Sequence, residues 1–128
     1  MGNGTSIGKV RGLGSAHEGA HHWLLQRTTA IGNLILMSWL LVSFFMLPDF
    51  TYGSVSSWLS APIAAVPMML LIISLFWHAR LGLQVVIEDY IHNPSSKFAL
   101  ISALNLAAFG GAAFALFSVA TLALTGAA

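Results

Sequence analysis

The chain contains no cysteine, and charged residues fill only 7% of its 128 positions. The first absence excludes a disulfide framework, a thiolate zinc site, an iron–sulfur cluster held by this chain and a cysteine nucleophile. The second excludes a water-soluble enzyme, because a soluble domain carries about a quarter charged residues. A net charge of +1 gives no electrostatic footprint for phosphates, so a nucleic-acid partner is excluded as well. What is abundant is apolar: hydrophobic residues make up 57% of the chain, and the length suits one domain. The remaining class is an all-α integral membrane protein, whose chemistry must come from histidine, carboxylate, tyrosine or a bound cofactor.

A hydrocarbon core of ~30 Å needs about 20 mostly apolar residues per helix. Three stretches meet this, at about 28–47, 62–87 and 99–124, giving three transmembrane helices in one anchor domain over 21–128. Pro48-Asp49 ends the first and Glu88-Asp89 marks the end of the second. The linkers are 48–61, rich in Ser, Pro and Gly, and 88–98, with a turn signal at Asn93-Pro94-Ser95-Ser96. Residues 1–20 are glycine-rich with little hydrophobic pattern and read as a flexible tail. Lys9, Arg11, Arg27 and Lys97 all fall on one side of a three-span arrangement, and the other side has no Lys or Arg in its flanks. The N-terminus is therefore expected to be cytoplasmic and the C-terminus periplasmic. The start of the chain shows no cleavable signal or presequence pattern, which favours a multi-pass protein of a bacterial inner membrane. Met1-Gly2 with Ser6 fits a myristoylation pattern and Asn3-Gly4-Thr5 a glycosylation sequon. Both are set aside, since three spans need no lipid anchor and a cytoplasmic tail meets no glycosyltransferase.

Ionisable residues within a span are costly and mark function by default. Only His78 and Arg80 qualify. Leu71, Ser74, His78, Gly82, Val85 and Asp89 fall near one line at 100° per residue, so the imidazole and the carboxylate share a helix face ~16 Å apart along the axis. Gly82 leaves a gap on that face, where a planar ligand would fit. A deep histidine can ligate a metal or haem, relay protons, or hydrogen-bond a neighbouring helix. Arg27 reads either as a propionate or quinone contact or as a positive-inside anchor. Tyr90 reads either as an interfacial aromatic or as a hydrogen-bond donor to a quinone carbonyl beside Asp89. Arg80 lies about 200° round from His78, with a carboxylate or propionate expected as its partner. Ala103, Ala107, Gly111 and Ala115 form a small-residue stripe on the third span, suited to close helix packing or to a flat ligand.

The run His78-Ala-Arg-Leu-Gly82-Leu-Gln-Val-Val-Ile-Glu-Asp89-Tyr90 closely resembles the signature of the small hydrophobic anchor subunit of succinate dehydrogenase. Gln26-Arg27-Thr28-Thr29-Ala30-Ile31 resembles the run that opens that family's first helix. The resemblance covers about residues 20–92. It implies that His78 is an axial ligand of haem b, that Arg27 lies near the haem propionates, and that Tyr90 contacts ubiquinone with Asp89 beside it. It also implies a haem shared with a second, cytochrome b type membrane subunit. FAD and iron–sulfur clusters would then sit only in the flavoprotein and iron–sulfur partner subunits. The chain would not be catalytic alone; it would serve ubiquinone reduction within respiratory electron transport and the tricarboxylic acid cycle. A haem-free structural anchor and a fumarate reductase anchor remain the alternatives.

Overall fold

The computed structural model describes the backbone of residues 16–126 and the side chains of residues 19–126. The tail motifs at Met1-Gly2, Ser6 and Asn3-Gly4-Thr5, and the tail charges Lys9 and Arg11, lie outside the described residues. Four helices follow in order: α1 (Ala16–Met46), α2 (Tyr52–Leu59), α3 (Pro62–Tyr90) and α4 (Pro94–Thr125). Gly19–Met46, Pro62–Tyr90 and Pro94–Thr125 are long and apolar enough to cross a membrane. The chain is an all-helical, multi-pass membrane protein.

Three boundaries differ from the pattern of apolar residues, each for a local reason. Residues 16–20, expected in the tail, already belong to α1, because a helix needs closed backbone hydrogen bonds and not apolar side chains. The linker 48–61 contains α2. Thr51 caps it: its hydroxyl accepts from the Ser54 amide at 3.4 Å and donates to Asp49 Oδ1 at 2.7 Å. Bonds from the hydroxyls of Ser54 and Thr51 and from the Thr51 amide hold the Asp49 carboxyl below its usual value of 3.8. The support that Asp49 gives this cap is complete above that value and fades as pH falls through the lower folded one. The third difference is at Asn93-Pro94, which starts a helix as well as making a turn. Asn93 Oδ1 accepts from the amides of Ser95 at 3.0 Å and Ser96 at 3.2 Å, and Pro94 occupies the first helical turn, where its missing N–H costs nothing.

In an apolar medium every backbone and hydroxyl group must find a partner within the protein. Ser38, Ser43, Ser118 and Thr121 each donate to the carbonyl four residues back, at 2.7–2.9 Å.

α3 is the centre of the molecule. α1 packs on one side and α4 on the other, and among the described residues α1 and α4 do not approach each other. The three long helices therefore form a flat layer. Few side chains are buried: Leu59, Ala65 and Val119 form a small core where α2 tucks under α3 and α4, with Leu71 and Leu81 buried along α3. Trp39 and Trp58 stack at 5.7 Å, and Phe44 meets the Trp58 ring edge-on at 5.9 Å, tying α1 to α2.

Candidate functional site

The seam between α1 and α3 follows from small and polar residues spaced four apart on α3. Ser74, His78 and Gly82 all face α1. Ser74 donates to the Thr29 carbonyl at 3.3 Å. A methyl group on Gly32 would come within 3.3 Å of Ser74 Oγ, and one on Gly82 within 3.5 Å of the Gln26 amide. The side chain of Gln26 on α1 lies beside Gly82, at the gap where the sequence reading expects a planar ligand.

His78 is half-buried in this seam, and its orientation is set by Thr29. Thr29 Oγ1 lies 2.8 Å from the Leu25 carbonyl oxygen and 3.1 Å from that of Gln26, so its one proton goes to the backbone. What it offers His78 Nδ1, 3.1 Å away, is a lone pair. Nδ1 therefore carries the ring proton and donates it. Nε2 is left as a bare lone pair, with no hydrogen bond among the described residues, and it is not sealed from the surface. This is the tautomer of a metal-ligating imidazole, whose other nitrogen donates to a fixed acceptor. Among the described residues, no set of three or more His, Asp or Glu side chains could hold a metal ion. The donor set is thus one imidazole, which suits a haem iron completed from outside the chain.

Asp89 and Tyr90 occupy the last turn of α3 and are exposed, Tyr90 by 78%. They stand ~16–18 Å along the axis from His78, so the candidate residues fall into two separate groups. Next to them, Gln84 donates to Glu88 Oε1 at 2.8 Å, and Lys97 donates to the Glu88 carbonyl at 3.1 Å, fastening α4 to the end of α3. Arg27 is exposed and stacks over Trp23 at 5.4 Å. It lies two residues before Thr29, about 200° round α1 from the seam, and does not touch His78.

Arg80 pairs with no carboxylate among the described residues. Its Nε donates to Asn105 Oδ1 on α4, and its guanidinium lies 5.6 Å from the Trp77 ring centroid and 5.9 Å from that of Phe109. The small-residue stripe of α4 divides. Gly111 meets Phe76 within the chain, where an added methyl group would lie 2.7 Å from the ring, whereas Ala103 and Ala107 are exposed.

Sequence reasoning passed over Thr29, Gln26, Gln84 and Asn105. A signal was present for three of them: Thr29 and Gln26 fall inside the run that resembles the family's opening helix, and Gln84 inside the run from His78 to Tyr90. Asn105, a neutral amide in an apolar run, carries no charge to mark it. Gln26 Oε1 and His22 Nε2 are buried without partners among the described residues, in a groove of about 390 Å³ that Gln84 and Glu88 also line.

Comparison with known proteins identifies the family. The model of the succinate dehydrogenase/fumarate reductase transmembrane subunit family matches residues 1–125. The succinate dehydrogenase hydrophobic membrane anchor subunit of Rickettsia bellii is 42% identical over 104 residues, covering 80% of this chain and 82% of the relative. Those of Rickettsia conorii and Rickettsia typhi are 35% and 31% identical, each over the same shares of the two chains.

Proposed function

The chain belongs to the succinate dehydrogenase/fumarate reductase transmembrane subunit family, and from that premise we propose that it anchors a succinate:ubiquinone oxidoreductase in a bacterial inner membrane. In this reading it supplies one axial ligand to haem b and part of the ubiquinone-reduction site. The observation that carries the haem reading is the Thr29–His78 pair, which leaves Nε2 of a half-buried intramembrane imidazole as a free lone pair. His78 would hold the haem from this chain, and the haem, when bound, would supply a one-electron centre.

The rest follows from the chain's own residues. Thr29 fixes the rotation of the imidazole, and Ser74 and Gly32 hold α1 close enough for it to do so. Tyr90, at the cytoplasmic end of α3, presents a phenol to a quinone carbonyl, and that bond strengthens as negative charge develops on the quinone oxygen. Asp89 beside it is an exposed carboxylate placed to pass protons from water. Arg27 provides positive charge at the same end, for a propionate or for the membrane surface. In this reading flavin and iron–sulfur clusters belong to the flavoprotein and iron–sulfur subunits, from which electrons reach the quinone.

Replacement of His78 tests the reading. In the assembled complex, His78→Leu abolishes or alters the low-spin bis-imidazole spectrum of the haem. An unchanged spectrum with stoichiometric haem would refute the ligand assignment and favour a haem-free anchoring role for this chain.

A further inference from the structure

The proposed haem and quinone sites assign no role to Arg80, and a guanidinium inside an apolar helix requires a reason. α3 has 29 residues and is ~43 Å long at 1.5 Å per residue, the thickness of a bilayer with both headgroup layers. Arg80 is ten residues from the end at Tyr90, ~15 Å in, whereas a headgroup layer takes about 5–7 Å on each side. Asn105 and the rings of Trp77 and Phe109 hold the side chain sideways against α4, and it also lines a groove with His22 and Gln84.

Only Nε is used in this arrangement. The two terminal amino groups make no hydrogen bond among the described residues, and no described carboxylate pairs with the charge. The buried indole N–H of Trp77, in the neighbouring side chain, also lacks an acceptor there. Donors and positive charge therefore converge on a place that lacks an anion. Directly below, towards the membrane centre, Ile73, Phe76, Phe109 and Ala112 line an apolar groove of about 300 Å³. It is too small for a helix ~10 Å across but admits a protruding side chain. A phospholipid phosphate belongs to the headgroup layer and not to this depth. An Asp or Glu on another transmembrane helix matches both the charge and the depth.

We propose that Arg80 is the ion-pairing contact for a second transmembrane subunit, one of whose helices presents a carboxylate to the guanidinium and an apolar side chain to the groove beneath it. The inference rests on the proposed membership of a complex with a second membrane subunit. Co-purification of that subunit with the wild-type chain tests membership; the following experiment tests the contact.

Arg80→Lys places a primary amine where the guanidinium was, and a membrane-permeant carbodiimide joins an amine to a touching carboxylate as an amide with loss of water. In the purified complex, mass spectrometry is expected to find Lys at position 80 joined to an Asp or Glu within a transmembrane helix of the second subunit. An assembled variant without that cross-link, or with residue 80 joined to a haem propionate or a lipid, overturns the proposal. A second test does not depend on assembly of the Lys variant. Arg80→Glu is expected to lower recovery of the complex at least tenfold, and exchanging one transmembrane carboxylate of the partner for Arg is expected to restore it. Unimpaired recovery of Arg80→Glu, or failure of every such exchange to rescue it, overturns the contact.

Discussion

At the scale of single residues, the behaviour of this chain depends on who satisfies whom in a medium without water. Thr29 is bound to its own backbone before it meets His78, and that order fixes the imidazole tautomer. Thr29→Val leaves the volume almost unchanged and removes the acceptor. The bound haem is expected to remain, with its potential raised by roughly 20–60 mV, because an imidazole that no longer donates is a weaker base. The figure converts a hydrogen bond of ~0.5–1.5 kcal/mol at 59 mV per tenfold. Thr29→Ser should restore the wild-type potential; a potential that stays put in the Val variant shows that Thr29 does not tune the basicity of His78. Tyr90→Phe keeps the ring and deletes only the hydroxyl. Succinate:quinone activity is expected to fall tenfold or more, which corresponds to ~1.4 kcal/mol of transition-state stabilisation. Succinate oxidation with a water-soluble acceptor should persist in the same preparation. If quinone reduction survives intact, Tyr90 is an interfacial anchor and nothing more.

At the scale of helices, packing rests on a few places where side chains are missing. Gly110 and Gly111 are neighbours in α4 with opposite surroundings. A methyl group on Gly110 meets nothing within 4 Å, whereas one on Gly111 runs into the Phe76 ring. Gly110→Ala is expected to leave thermal stability unchanged or raise it by up to ~1 kcal/mol through helix propensity. Gly111→Ala is expected to cost about 1–3 kcal/mol from overpacking against α3. Equal effects in thermal denaturation of the assembled complex would show that the α3–α4 contact is looser than the structure indicates.

As a whole molecule the chain is an open layer. Its long helices expose Leu34, Phe45, Phe114 and Phe117 at 70–89%, and α1 never closes against α4. Lipid covers part of this surface, but in the proposed reading His78 provides one iron ligand only, and Arg80 has no carboxylate partner among the described residues. The chain expressed alone is therefore expected to aggregate or lose its structure in detergent, and to become monodisperse with haem only when the second membrane subunit is co-expressed. Size-exclusion chromatography with an absorbance spectrum decides this; a stable haem-loaded species of the lone chain would contradict it.

The sequence by itself determined the class, the three spans and the residues worth watching. Those follow from properties that are local or periodic: scarcity of charge, length of apolar runs, and the eleven-residue interval that puts His78 and Asp89 on one helix face. It misread the linker 48–61, where hydroxyl capping builds α2 from residues that also suit a loop. Nothing local in α3 reveals that Gln26, fifty-six positions earlier, lies beside the gap at Gly82. Only the tertiary structure decided that α1 and α4 lie on opposite sides of α3. With that came the Thr29 partner of His78 and the Asn105 partner of Arg80. The physical reason is that neutral polar side chains leave little mark on an apolar sequence, while in a membrane they decide which faces of the helices meet.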